Sequence, residues 1–239
     1  MAQDTPSDWD QSAKAWIASV KTGSDFARIA VLDRPMLEAV RTSGAKTALD
    51  VGCGEGRFCR MMAAHVPKII GLDPTEHLLE EARRLGRATY VKGVAENLPF
   101  EDQSFDLVVS YLSLIDIPGI ESAYREFGRV IRKGGRLLIA NLNSWTTAAQ
   151  SDGRGFVPNE QGHGTMTIVN YLTEYPMTVA WAGVRVVNWH RPLATYMQLA
   201  LKNGFRLVDF QEPSGDPAWE KSKRYQHAPF LLLQVWEKS

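Results

Sequence analysis

The sequence predicts a doubly wound α/β sheet that carries a small added sheet. Three observations predict it. Between residues 47 and 142, extended apolar runs alternate with helical runs, as in parallel strands joined by right-handed crossovers. Runs such as LVVS (107–110) and LLIA (137–140) are apolar on both faces, as strands covered by helices on both sides must be. Residues 143–191 break this rhythm with loop-like stretches and extended runs of their own.

The elements follow in order. Trp9, Ala13, Trp16, Ile17 and Val20 fall on one face of an amphipathic helix over residues 8–20, and a second helix covers 25–41. Strands at TALDVG, KIIGLD, ATYVKG and SFDLVVSY alternate with helices over 56–65 and 75–86. Ile120, Ala123, Tyr124, Phe127, Val130 and Ile131 mark the next helical face, and RLLIANL follows Gly134-Gly135 as a strand. Residues 151–155 and 159–164 read as loops, and TMTIVNYLT and MTVAWAGVRVVNW as strands of the added sheet. A helix near 193–203 stops at Asn203-Gly204, and FRLVDFQEP and PFLLLQVWEK read as two final strands. The divisions are a helical cover (1–46), an α/β core (47–142), an inserted cap (143–191) and a C-terminal helix with strands that complete the core sheet (192–239).

Composition narrows the partners. The 239 residues contain 27 Lys+Arg and 27 Asp+Glu, so no net charge draws the chain to nucleic acid or an anionic membrane. An apolar fraction of 44% fits a globular domain and excludes a disordered one. Cys53 and Cys59 form neither a CxxC pair nor a cluster with His, so neither a metal site nor a disulfide framework is expected. The acidic start, MAQDTPSDWD, has no apolar signal segment, and the expected compartment is the reducing cytoplasm. Tryptophan is absent between residues 48 and 142; Trp9, Trp16, Trp145, Trp181, Trp189 and Trp219 lie in the flanking elements, where they either fill an accessory core or line an apolar pocket.

The chemistry is concentrated at Leu49-Asp50-Val51-Gly52-Cys53-Gly54-Glu55-Gly56, where the first strand meets a helix. Ligands of open α/β sheets bind at such strand ends. The spacing is GxGxG rather than the GxGxxG of dinucleotide loops, and Asp50 and Glu55 would repel a pyrophosphate. The same carboxylates suit S-adenosylmethionine, which has a sulfonium and an ammonium and no phosphate. Asp73, in Gly71-Leu72-Asp73-Pro74, ends the second strand, where a carboxylate can accept from two ribose hydroxyls.

With VAENLPF after the third strand, SFDLVVSY as the fourth and FGRVIRKGGRLLI into the fifth, the series resembles the successive motifs of class I S-adenosylmethionine-dependent methyltransferases, in the small-molecule (methyltransferase type 11-like) branch, across about residues 47–142. The resemblance implies a Rossmann-like seven-stranded sheet with its last strand antiparallel. It implies that Gly52, Cys53, Gly54 and the loop backbone face the methionine part, that Asp50 supports its ammonium, and that Asp73 and Pro74 flank the ribose. Ala95 and Glu96 would lie at the adenine, and the backbone of Ser110 and Tyr111 near the methionine end. Many relatives have Asp where this chain has Val94.

Methyl transfer is an in-line displacement that needs alignment and water exclusion, and a base only when the nucleophile must lose a proton. His190, in Asn188-Trp189-His190-Arg191-Pro192, is the candidate base. Asp116, in the SLIDIP stretch after the fourth strand, is a second catalytic candidate, and His163 a weaker one. Trp16, Trp189 and Arg191 are the candidate substrate-lining residues. Absent are [ND]PP[YFW] after the fourth strand, a Pro-Cys nucleophile, and an Asp/Asn metal cluster of the catechol type. The expected activity is methylation of a small, partly apolar metabolite. The rivals are C-methylation of a quinone or lipid-like ring, and cofactor binding without transfer.

Overall fold

The computed structural model describes residues 8–150, 157–158 and 164–239. Its main sheet has seven strands: β1 (Thr47–Val51), β2 (Lys68–Asp73), β3 (Thr89–Lys92), β4 (Phe105–Tyr111), β5 (Ile131–Leu142), β10 (Phe205–Gln211) and β11 (Leu231–Lys238). Their spatial order is β10-β11-β5-β4-β1-β2-β3. β1 pairs in parallel with β2 and β4, whereas β11 runs antiparallel to both β5 and β10. This is the expected doubly wound sheet with the last strand reversed. Two short pairs lie outside it: β6 (Val157–Pro158) with β7 (Gly164–Thr165), and β8 (Tyr175–Trp181) with β9 (Val184–His190).

Alternation along each strand feeds two cores. Ala48, Ile69, Leu107, Val109, Leu138 and Ala140 face one side, against α2 (Asp33–Ser43), α3 (Arg57–Met62) and α4 (Glu76–Leu85). Leu49, Val51, Val108, Leu137 and Ile139 face the other, against α5 (Ile120–Val130) and α7 (Leu193–Lys202). The apolar stripe of α5 is buried as its periodicity predicts, each large side chain contributing about 1.5–3 kcal/mol. The seventh tryptophan, Trp236, is fully buried in the α5–α7 core, where Nε1 donates to Gln234 Oε1 at 3.0 Å. The sheet is therefore not free of tryptophan.

Three local expectations are corrected. The helix expected over 25–41 is a π-helical turn, Ala27–Leu32, followed by α2. Pro35, which has no N–H to donate, sits in the first turn of α2, where a missing donor is tolerated. Of TMTIVNYLT, only Thr165 is in a strand; Asn170 has a positive φ of 53° and the Thr173 N–H bonds to the Asn170 carbonyl at 3.0 Å, closing a turn. A helix, α6 (Ser144–Gln150), opens the segment read as irregular.

The N-terminal helix α1 (Asp8–Lys21) packs against β9 and α4, with Ala13, Trp16, Leu78, Val184 and Val186 forming a third core. Ser12 Oγ donates to the Arg185 carbonyl (2.9 Å) and accepts from the Arg185 N–H (3.0 Å), so one side chain serves both backbone groups of a β9 residue. No described helix is long and apolar enough to cross a membrane.

Candidate active site

The loop after β1 is clamped to β2 by backbone. The N–H groups of Gly52 and Cys53 donate to the Leu72 carbonyl at 2.8 and 3.1 Å. Gly52 has φ +74°, and a Cβ there would overlap Ser113 Cβ and lie 3.0 Å from its Oγ, so only glycine fits this turn. Ser113 Oγ donates to the Val51 carbonyl and accepts from Ser110 Oγ, both at 2.6 Å. Ser110 is fully buried and supports the site from beneath, while Ser113 lines it.

A cavity of about 310 Å³ lies over this loop at the carboxyl ends of β1, β2 and β4. It brings together Asp50, Gly52, Cys53, Gly54, Asp73, Pro74, Ala95, Glu96, Tyr111, Asp116 and Trp16. Asp50 is 1% exposed; its Oδ2 accepts from Cys59 Sγ at 3.3 Å and its Oδ1 has no hydrogen-bond partner among the described residues. Burial pushes the Asp50 carboxyl up to about 7, with Asp73 and Glu55 adding repulsion. Asp73 accepts from the N–H groups of Gly54 and Thr75, each at 2.9 Å, and each oxygen keeps a lone pair. Burial raises its carboxyl to about 6 despite those bonds. Glu96 accepts from the Gly119 N–H at 3.1 Å, and Val94 is exposed on the cavity wall.

These residues fit S-adenosylmethionine. A buried carboxylate oxygen without a donor suits an ammonium, and a second buried carboxylate beside it suits a diol. The loop offers a close backbone approach but no cation for a phosphate; the nearby guanidinium groups are already paired, Arg28 with Asp25 at 2.7 Å and Arg57 bidentate with Asp33.

Arg28, which the sequence does not single out, stacks 5.0 Å from the Trp16 ring and 5.4 Å from that of Tyr111. Tyr111 OH donates to Asp33 Oδ1 at 2.9 Å. Trp16 Nε1 donates to Glu55 Oε2 at 3.0 Å. Asp116 is half-buried at the cavity edge, its Oδ1 accepting from Asn188 Nδ2 at 2.5 Å. Burial lifts its carboxyl to about 7, and Asn188, Arg28 and the Trp9 indole steady the charged form.

Besides Ser110, three candidates are not at the cavity. His190 is fully buried: Nε2 donates to the Tyr171 carbonyl at 2.9 Å, leaving Nδ1 to accept from Thr147 Oγ1 at 2.7 Å. Both ring nitrogens are occupied, and burial lowers its pKa, so the imidazole is a neutral anchor and not within reach of an acceptor. Trp189 falls between the inward positions Asn188 and His190 of β9 and lies 5.0 Å under the Arg191 guanidinium. Arg191 is 1% exposed and donates to the carbonyls of Ile117 (2.7 Å) and Pro118 (3.0 Å), bracing the loop that carries Asp116. His163 lies outside the described residues.

Residues 49–139 match the methyltransferase domain family. The chain is 32% identical over 163 residues to the malonyl-[acyl-carrier protein] O-methyltransferase of Erwinia pyrifoliae, over 62% of each chain. It is 34% identical over 121 residues to the demethylmenaquinone methyltransferase of Staphylococcus saprophyticus, over 48% of this chain and 52% of that one. The chain thus spans between about half and two thirds of the length of these curated relatives. The solved S-adenosylmethionine dependent methyltransferase from Mesorhizobium loti is similar at TM-score 0.73 and 26% identity, over 85% of this chain and 96% of that one.

Proposed function

The chain carries a class I S-adenosylmethionine-dependent methyltransferase domain, and from that premise we propose that it transfers the methyl group of S-adenosylmethionine to a small organic acceptor by in-line displacement. The observation that carries this reading is Asp50 Oδ1, a buried oxygen without a donor among the described residues, set in a glycine turn beside Asp73. Asp50 takes the ammonium of the bound group, Asp73 its ribose hydroxyls, and Ala95 and Glu96 border its adenine. The bound group supplies an activated methyl on a sulfonium. The chain's own part is to hold that methyl at the strand ends and to keep water out, the part assigned to a cover made of the N-terminal helix, whose Trp9 and Trp16 line the cavity, and the β8–β9 hairpin packed on that helix. The same cover selects the acceptor, and residues 47–142 with 192–239 make the cofactor-binding body. Free Cys53 and Cys59 are in keeping with a cytoplasmic protein.

Calorimetry tests the cofactor. S-adenosylmethionine and S-adenosylhomocysteine should bind, with NAD and ATP at least about a hundredfold weaker. Transfer of labelled methyl into a pool of small metabolites tests the activity. Preferential binding of NAD would overturn the reading.

A further inference from the structure

A second cavity, of about 630 Å³, adjoins the first and shares Trp9, Trp16, Arg28, Leu112 and Asp116 with it. Its size is that of a small-molecule site. Five aromatic side chains line it: Trp9, Trp16, Phe26, Trp181 and Tyr225. Trp9 stands edge-on to Trp16 (5.7 Å) and to Trp181 (6.4 Å) on one side, and Phe26 meets Tyr225 at 5.6 Å on the other. Trp181 is 41% exposed, although it is a large apolar side chain facing a concavity. Such walls fit a planar, apolar body.

The charged groups lining this chamber are Asp25, Arg28, Asp116 and Arg224. Asp25 is neutralised by Arg28 at 2.7 Å. Asp116 lines both cavities and is held by Asn188, so it stands at their junction. Arg224 lines only the second cavity. It is exposed, lies over the rings of Tyr225 (5.1 Å) and Phe230 (5.4 Å), donates to the Tyr225 hydroxyl at 3.4 Å, and has no carboxylate within ion-pair distance among the described residues. The chamber therefore has a proton acceptor on its inner wall and, elsewhere in its lining, an arginine with no carboxylate partner among the described residues. Arg28 beside Asp116 disfavours a cationic amine as nucleophile, because a guanidinium already stacks on the Trp16 face that such an amine would use.

Resting on the proposed transfer reaction, we infer that the acceptor is a planar hydroxylated carboxylic acid, its hydroxyl donated to Asp116 and its carboxylate held by Arg224. The acceptor oxygen bonds to the methyl carbon, and the carbon–sulfur bond leaves its electron pair on sulfur. The hydroxyl proton goes to the Asp116 carboxylate. A carboxyl that burial holds near 7 is better matched to a hydroxyl proton than an ordinary aspartate. Asp116 is in this scheme a catalytic residue, and Arg224 sets specificity.

The test uses the full chain with S-adenosylmethionine and three probes: a hydroxynaphthoate, its methyl ester and the matching aminonaphthoate. The acid should be methylated on oxygen with kcat/KM at least about tenfold above the ester and the amine. Arg224→Gln should raise KM for the acid about tenfold, with kcat and the ester unchanged. Asp116→Asn should lower kcat about a hundredfold while cofactor Kd stays within about twofold, and Asp116→Glu should restore part of it. Equal use of acid and ester, preference for the amine, or an unchanged kcat in Asp116→Asn would overturn the inference. So would cofactor binding without transfer to any probe, which leaves the proposed function standing. Failure to bind the cofactor would instead remove the proposed function itself.

Discussion

Trp16 of the N-terminal helix donates its indole N–H to Glu55 of the glycine loop at 3.0 Å, across a buried contact between two segments 39 residues apart. This bond joins the cover to the cofactor loop, and Arg60 holds the other Glu55 oxygen at 3.4 Å. Trp16→Phe keeps an aromatic ring, though a smaller one, and removes the donor. The loss is about 1–2 kcal/mol. Affinity for S-adenosylhomocysteine should fall roughly five- to thirtyfold by calorimetry, with the circular dichroism spectrum unchanged.

Asp50 gives cofactor binding a pH dependence whose sign is fixed. Only the ionised carboxylate attracts an ammonium, and its pKa in the free protein is about 7. Asp73, at about 6, titrates in the same direction. Affinity should therefore drop at least about tenfold as pH falls from 7 to 5.5. Asp50→Asn should weaken binding at pH 7 and make that slope shallower. Titration calorimetry at several pH values checks both.

The same groups act on the stability of the protein without cofactor, with the opposite sense. Asp50, Asp73 and Asp116 have folded-state values of about 7, 6 and 7, above the ordinary 3.8. Between about pH 4 and 7 these three carboxyls bind more protons in the folded chain than in the unfolded one, which outweighs the opposite effect of the single lowered His190, so stability declines as pH rises through that window. Glu81, lowered to about 2 by Arg84 and Lys21, titrates below it. The melting temperature should be higher at pH 5.5 than at pH 7.5, and added cofactor should narrow or reverse the difference. A melting temperature that rises steadily over this range would contradict the assignment.

His190→Ala separates anchoring from catalysis. The substitution leaves the Tyr171 carbonyl and Thr147 without their partner and opens a void among Tyr171, Tyr175 and Thr147. The cost should be about 2–4 kcal/mol, seen as a lower melting temperature. Turnover per folded molecule should stay within about twofold. A large fall in kcat with normal stability would restore His190 as a base.

How much of this was legible follows from the range of the signals. The glycine loop and Asp73 announce themselves in a few adjacent residues, because a tight turn and a strand end are local facts. The stripe of α5 is equally local. Arg28 has no such signature. It reaches the site from the π-helical turn ahead of α2, and the rings it stacks on, Trp16 and Tyr111, come from distant elements. The expectation at residues 188–191 went astray by one position. Strand alternation turns Asn188 and His190 inward and Trp189 away, and Asn188, not its neighbours, reaches Asp116. That choice of face is set by what packs on the hairpin, which the residues themselves do not state.

Ser12 has a consequence for how copies of this chain meet one another. An open strand edge invites a second chain to add a strand, the first step toward swapped dimers and aggregates. In β9, Arg185 turns its N–H and carbonyl away from β8, and Ser12 Oγ takes both. A single hydroxyl stands in for a neighbouring strand at that point, and the helix behind it blocks approach along the rest of the edge. A chain shortened past α1 would uncover Val184 and Val186 together with these two backbone groups. Such a chain should self-associate through β9 in sedimentation experiments, at concentrations where the full chain does not.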